Sequence, residues 1–472
     1  MRRLFVAAIA MMAVGGSGLW APLSAGLPST AAARPAAVAS GIAPLSRIVN
    51  KPFASKPPTT AQCESSIGVA CYSPNQLETA YDMNSLYTSK YTGAGETIAL
   101  IDSFGSPTVL SDLKTFDTSF GLPAPPSVKI IQPAGKVPPY NSKNSLMVSW
   151  AVEQSLDVEY AHAMAPGANL LLVETPVAET IGVHGFAQIV QAENYVIDHK
   201  MAQVISQSLA TAEASFPSPK DILSLRSAFV NAQKNKVTVL GAAGDWGASS
   251  PSDASESTYY TFRTANWPAS DPLVTAVGGL QLHLNAKGAQ VRAPNVWNDT
   301  SLLGSPAAGG GTLSSVFKRP SYQNTVKSVV GNWRGVPDIS MSAAVDGGPL
   351  VYMSFKGLSG PAFYVVGGTS EATPLFAGVV AVADQYAGHS LGLLNPALYK
   401  IASTKGETGI VNVSTGESTI TFVQKGKTYT VPGYEAVGPE TGGTVATGYS
   451  LASGLGTVDG AKFVPELVKA SS

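Results

Sequence analysis

Ser149-Trp150-Ala151-Val152-Glu153-Gln154-Ser155-Leu156-Asp157-Val158-Glu159-Tyr160-Ala161-His162 carries helical patterning, and Asn169-Leu170-Leu171-Leu172-Val173-Glu174, a few residues further on, reads as a short strand. This pairing of a long helical pattern with a short apolar or β-branched run repeats from Tyr91 onward. Strands are expected at Thr97 to Asp102, Asn169 to Glu174, Gln203 to Ser206, Thr238 to Ala242 and Leu273 to Val277. Helices are expected at Thr108 to Phe120, Ser145 to Met164, Gly185 to Lys200, Lys220 to Asn235 and Ser370 to Tyr386. Short strands alternating with helices build an α/β fold, a mostly parallel sheet with helices on both faces. Residues 285–331 carry the weakest signal and are expected as loops and short strands.

Within the opening helix, Glu153 and Asp157 stand four residues apart, so their side chains share one face, one turn apart, within reach of a common hydrogen bond. Two carboxyls held that close do not both ionise freely, which suits a poised acid or base. Alone, a Glu-x-x-x-Asp pair is more often a solvated helix face, so the pair needs context. One piece of context is Val366-Gly367-Gly368-Thr369-Ser370-Glu371-Ala372-Thr373-Pro374, a serine that follows a glycine pair and opens a helical pattern. A glycine-rich turn exposes the hydroxyl, and a helix N-terminus favours negative charge developing beside it, although a lone serine there is more often a helix cap. A second is Leu240-Gly241-Ala242-Ala243-Gly244-Asp245, a strand end that delivers an aspartate into a glycine turn, a pattern also met in plain turns.

The bulk properties set the compartment. At 472 residues the chain has room for one large catalytic domain plus export segments. A formal net charge of −1 gives no basic footprint for nucleic acid. Charged residues are 13% of the chain beside 47 glycines and 33 prolines, which suits a compact, loop-rich exported protein. Few surface charges also mean little self-repulsion when acid protonates the carboxylates. Met1-Arg2-Arg3 followed by an apolar stretch from Leu4 to Trp20 and small residues reads as a signal peptide over 1–33, with cleavage after Ala25 or Ala33. An uncleaved anchor is the alternative, disfavoured because Gly15, Gly16, Ser17 and Gly18 interrupt the apolar run. Residues 34–60, rich in Pro, Ala and Ser, read as a linker, and 61–472 as the catalytic domain. The two cysteines, Cys63 and Cys71, are expected to be bridged in an exported protein.

Taken in chain order, the segments around Glu153, Asp245 and Ser370 resemble the sedolisin family of serine-carboxyl peptidases, which shares the subtilisin fold. The resemblance runs from Pro74 to the C-terminus and includes Tyr91-Thr92-Gly93-Ala94-Gly95, Ala165-Pro166-Gly167-Ala168, Arg334-Gly335-Val336-Pro337-Asp338 and Gly454-Leu455-Gly456. It implies a secreted, acid-acting endopeptidase on protein and peptide substrates, with no nucleic-acid partner and no membrane contact after signal cleavage. Ser370 would attack the peptide carbonyl, Glu153 would take its proton and return it to the leaving amine, Asp157 would orient Glu153, and Asp245 would donate to the oxyanion in its protonated form. The chemistry is coherent in acid. A histidine base with pKa near 6.5 loses roughly 300-fold of its active form at about pH 4, whereas a glutamate near 4.3 keeps about a third. An aspartic acid donates a hydrogen bond only while neutral.

An ordinary subtilisin-like enzyme is the nearest rival, since Ile98-Ala99-Leu100-Ile101-Asp102 looks like that family's aspartate-bearing strand. That family also needs a His-Gly-Thr-His segment. Here His184-Gly185 runs into Phe186-Ala187, and His162, His199, His283 and His389 lie in no such setting, so Asp102 reads as structural. A second rival is a secreted binding protein that keeps the fold without turnover: Ala210 in Ser206-Gln207-Ser208-Leu209-Ala210 replaces a glycine usual in the family, and Trp246 follows Asp245 where a small residue is usual, both narrowing the cleft. Only the short linker separates the signal from the catalytic domain, where sedolisins carry a long folded prosegment. No cofactor is needed for the chemistry. The family's C-terminal calcium loop uses two aspartates, but Asn412-Val413 and Gly448-Tyr449-Ser450 stand at those positions, so calcium is expected to bind weakly or not at all.

Overall fold

A computed structural model describes residues 41–54, 56–404, 406–437 and 448–472. The expected signal peptide therefore lies outside the described residues. Of the elements that matter here, the strands are β1 (Arg47–Phe53), β2 (Thr97–Ser103), β3 (Val128–Ile131), β4 (Asn169–Thr175), β5 (Val204–Gln207), β6 (Thr238–Ala242), β7 (Thr275–Gln281), β8 (Ile339–Ser342), β9 (Gly348–Met353) and β10 (Ala362–Gly367). The helices are α1 (Val109–Phe120), α2 (Ser145–Met164), α3 (Phe186–Asp198), α4 (Ser227–Asn235) and α5 (Thr369–Ala387).

The main sheet runs Asn295–Val296, β7, β6, β5, β2, β4, β3, with β8 also pairing with β7. Its pairings are parallel except for the short edge strand Asn295–Val296. β5 and β6 are buried throughout, and in β2 every residue after Thr97 is buried, which is why these strands read as continuous apolar runs rather than alternating ones. α2 begins at Asn144, whose side chain accepts the N–H groups of Leu146 at 3.0 Å and Met147 at 3.3 Å. From Trp150 to Met164 every residue of α2 is buried, as an all-round apolar helix in the middle of a layer must be. α5 packs on α2 at a glycine: a Cβ on Gly378 would strike the side chain and main chain of Met164, so only glycine lets the two helices come this close.

The architecture is the expected α/β one, built on a mostly parallel sheet, and the boundaries of α2 and β6 coincide with those expected. The expected helix over 220–235 is two helices, Pro219–Ser224 and α4. Arg226 sits at the break and leaves the helical path to clamp Asp271, with Nη2 to Oδ1 at 2.9 Å. Within 285–331 the structure adds one real strand, Thr312–Lys318, and short helical turns.

A second layer is ordered β1, β10, β9, Cys71–Tyr72, antiparallel except where Cys71–Tyr72 pairs parallel with β9. Residues 34–60 were expected as a linker, yet 47–53 form β1, with Ile48 and Val49 buried against β10 and its surroundings. A Pro- and Ala-rich flank hid this short β-branched run. Cys63 and Cys71 form a disulfide, as expected, beneath this layer, both fully buried with Val49, Leu350 and Phe363. The Arg334 to Asp338 segment holds a fully buried ion pair: Asp338 Oδ1 takes Arg334 Nη1 at 2.6 Å and the Tyr399 hydroxyl at 2.9 Å, while Oδ2 takes the Ala276 N–H at 2.8 Å. Such a pair is tolerable because both carboxylate oxygens and both terminal guanidinium nitrogens are hydrogen-bonded, only Arg334 Nε being left without a partner among the described residues, and here it fixes β7 against the loop before β8.

Candidate active site

Three neighbouring strands deliver polar side chains at their carboxyl ends, where open α/β sheets build their sites. Asp102 is near the end of β2, Ser208 follows β5, and Asp245 follows β6 through the Gly244 turn. α2 lies across them with Glu153 and Asp157, and the chain leaves β10 through Gly368 to start α5 with Thr369 and Ser370. Glu153, Asp157, Asp245 and Ser370 are all 0% exposed.

The carboxyls form a coupled group. Ser208 Oγ stands 3.1 Å and 3.2 Å from the two oxygens of Asp157. Neither oxygen of Glu153 closes a hydrogen bond of ordinary length and angle, yet the hydroxyls of Ser370, Ser46 and Ser208 and the Ser46 N–H lie near enough to favour its charged form. Burial opposes them and wins, raising Glu153 above the ordinary glutamate range. Asp157 is also raised, first by burial and then by the charges of Asp102 and Glu153. The group therefore shares protons, and at mildly acidic pH it does not carry a full charge on each member.

Asp102 makes no side-chain hydrogen bond, among the described residues, that would give it a structural task. It is 1% exposed and neither carboxyl oxygen has a hydrogen-bond partner among the described residues. Burial and the charges of Glu153, Glu174 and Glu179 raise its pKa, making it a member of the same proton-sharing cluster. From sequence, Asp102 reads as structural because the histidine segment that would accompany a catalytic aspartate on this strand is missing, and a carboxyl cluster assembled across strands leaves no local trace.

Asp245 is held by α5. Its Oδ1 accepts the Thr369 N–H and the Thr369 hydroxyl, both at 2.8 Å, and Thr369 Oγ1 in turn accepts the Gly244 N–H at 3.2 Å. Oδ2 is left buried without a hydrogen bond. Burial pushes the Asp245 carboxyl up to about 7, against the opposing pull of Arg47 and the Thr369 hydrogen bonds. A neutral Asp245 with Oδ1 saturated by donors carries its proton on Oδ2, which is then a hydrogen-bond donor into the site.

None of the five histidines hydrogen-bonds Ser370. His162 is turned to Pro123 and Asp117, His199 to Tyr195, His283 to Asn295 and His389 to Ser390, and His184 is exposed. A buried serine beside carboxyls, with a neutral aspartic acid as donor, can add its hydroxyl to a carbonyl without an imidazole. Sequence reasoning missed Thr369 and Ser208 in this role; both lie inside segments it singled out, but their partners are remote in sequence.

For metal, no three His, Cys, Asp or Glu side chains converge among the described residues. At the expected calcium loop the Ser450 hydroxyl is used locally, accepting the N–H groups of Ala452 and Ser453 at 3.2 Å and contacting Ser453 Oγ at 3.0 Å. A hydroxyl committed to its own turn and a neutral Asn412 are a poor donor set for a hard dication, and the residues do not fit calcium.

The subtilase family model matches residues 130–406, which hold Glu153, Asp157, Asp245 and Ser370. The chain is 31% identical to kumamolisin from Bacillus sp. (strain MN-32) over 353 residues, 72% of this chain and 58% of that protein. It is 28% identical to sedolisin from Pseudomonas sp. (strain 101), over 83% of this chain and 60% of that one. It thus spans about 60% of the length of these two curated relatives. Among solved structures it is similar to Pseudomonas sedolisin, a serine-carboxyl proteinase complexed with two molecules of pseudo-iodotyrostatin, at a TM-score of 0.66 and 26% identity, covering 84% of this chain and 98% of that one.

Proposed function

The chain belongs to the subtilase family, on its sedolisin branch, and from that premise we propose that it is a secreted serine-carboxyl endopeptidase working in acid. The observation that carries this reading is the convergence of Ser370, the Glu153 and Asp157 pair and the half-satisfied Asp245 in one buried site that no histidine enters. In this reading Ser370 Oγ adds to the peptide carbonyl and its proton moves to Glu153. Asp157, held by Ser208, keeps Glu153 in place and shares the proton. Asp245 Oδ2 donates to the oxyanion, a contribution worth about a hundred- to a thousand-fold in rate for a typical donor of this kind. Glu153 returns the proton to the departing amine, and the acyl-enzyme on Ser370 is hydrolysed by water.

The test is digestion of an acid-denatured protein by the purified chain and by Ser370→Ala at pH values from 3 to 8. The reading expects cleavage in acid by the parent and none by the variant, with circular dichroism unchanged. Equal products from both proteins refute it. Export is tested by finding the protein in culture medium with its first residues removed.

A further inference from the structure

The site is filled by the chain itself. Upstream, Gly41 bridges Thr180 in antiparallel fashion, the Ile42 N–H donates to the Glu179 carbonyl at 2.7 Å, and the Ile42 carbonyl accepts Trp150 Nε1 at 3.2 Å. Downstream, Arg47, Ile48 and Val49 pair antiparallel with Gly367, Val366 and Val365 of β10, the strand that runs straight into Ser370. Between these two anchorages the chain crosses the catalytic side chains at Leu45 and Ser46.

Three placements fix what it presents there. The Leu45 carbonyl oxygen and Asp245 Oδ2 both crowd the space that a Cβ on Gly368 would fill, which puts that carbonyl beside the carboxyl oxygen that Arg47 Nε approaches to 3.9 Å. The N–H and hydroxyl of Ser46 face Glu153, which the Ser370 hydroxyl also faces. The Leu45 side chain, 1% exposed, is packed in an apolar pocket with Ala210, Ala242, Trp246, Ala308, Ile420 and Phe422. The two residues that narrow this cleft, Ala210 and Trp246, are thus walls of the pocket that holds leucine. Beyond the bond, Arg47 lies over the Trp246 ring at 5.4 Å and reaches Glu256, with Nη1 to Oε2 at 3.0 Å.

We propose that Leu45–Ser46 is the chain's own scissile bond, and that the groove selects substrates with a leucine-like residue before the cleaved bond and a basic residue second after it. The proposal rests on the peptidase reading above and names its substrate. The Ser370 oxygen bonds to the Leu45 carbonyl carbon as its proton passes to Glu153, and the carbonyl electron pair moves onto the oxygen beside Asp245. The carbon–nitrogen bond then breaks, the Ser46 nitrogen leaves as an amine with the proton from Glu153, and Leu45 remains as an ester on Ser370. A water molecule gives a proton to Glu153 and its hydroxyl to the ester carbon; the ester carbon–oxygen bond breaks and Glu153 passes that proton to the Ser370 oxygen, freeing the Leu45 carboxyl and restoring the serine.

The experiment uses the full chain and Ser370→Ala, each purified at neutral pH and shifted to pH 4.5, with intact mass and N-terminal sequencing over time. The parent is expected to acquire the N-terminus Ser46-Arg47-Ile48 and the variant to keep its residues 41–45. In a second arm, the parent is given a synthetic peptide of residues 41–50 and the same peptide carrying Leu45→Asp. Cleavage after leucine in the first, at least about 100-fold faster than any in the second, supports the assigned pocket; burying an unpaired carboxylate there is strongly disfavoured. If the parent digests denatured protein but leaves Leu45–Ser46 intact in both chain and peptide, the inference fails while the peptidase reading stands. Cutting at this bond in Ser370→Ala as fast as in the parent overturns it as well. Absence of all cleavage, of denatured protein and peptide alike, overturns both.

Discussion

Ser208 Oγ spans both carboxyl oxygens of Asp157, at 3.1 Å and 3.2 Å, across the gap between the end of β5 and the middle of α2. The hydroxyl donates to one oxygen at a time, and either contact favours the charged carboxylate over the neutral acid.

Ser208→Ala removes that donor from a fully buried acid, so the Asp157 pKa rises further. The expected result is a rising limb of the kcat profile displaced to higher pH, with about a tenfold loss at the original optimum, the size of a hydrogen bond to a charged group. A pH-rate profile of variant and parent checks it; a uniform loss at every pH would make Ser208 a packing residue only.

The legible part of this molecule was what local pattern controls. The start and end of α2 follow from the Asn144 cap and the Pro166-Gly167 turn, and the buried strands announce themselves as apolar runs. The segments holding Glu153, Asp245 and Ser370 carry glycine turns and spacing that can be read directly. Asp102 and Ser208 join the site only because β2, β5 and β6 lie side by side, a relation set by crossovers of many residues. The seating of Leu45 was hidden for a different reason: an extended peptide in a groove needs no periodicity of its own, so composition made residues 41–54 look like a tether.

Stability should fall from acid to neutral pH, the reverse of what acid denaturation usually gives. Burial raises Glu78 and Asp117 to about 7 and Glu179, Glu193 and Asp384 to about 8 in the folded chain. An acid whose pKa is raised by folding binds more protons folded than unfolded between the two values. Its stabilising contribution is complete below the unfolded carboxyl range, near about 4.3 for glutamate, and is lost as pH climbs through the folded pKa. Calorimetry on Ser370→Ala, which avoids self-digestion, should show Tm lower at pH 8 than at pH 4.5 by more than about 5 °C. A Tm that rises across the same interval contradicts it.

Chelators are expected to leave stability unchanged. Ser450 is engaged in its own turn and Asn412 is uncharged, so neither of these two positions, among the described residues, offers the anionic oxygen a hard cation requires. A Tm shift under about 1 °C on adding EDTA at pH 6, with none restored by calcium, is the expected result. A ligand present at 100 times its dissociation constant would stabilise by about 2.7 kcal/mol, so real occupancy would be plain in the same scan.

Asp245 is expected to set the alkaline limb. Thr369 fills Oδ1 with two donors, so the proton of the neutral acid sits on Oδ2, facing the Leu45 carbonyl. With its pKa raised to about 7 by burial, the group is a donor in acid, and above neutrality it becomes an anion that repels the developing oxyanion. Activity should therefore peak in acid and collapse through pH 7. Asp245→Asn donates at every pH but must turn its carbonyl to Thr369 to do so. It is expected to lose about tenfold at the optimum and to decline less steeply above it, while Asp245→Ala, lacking any donor, should lose about a hundred- to a thousand-fold throughout. Matching alkaline limbs in Asp245→Asn and the parent would move the responsible titration to Glu153, Asp157 and Asp102.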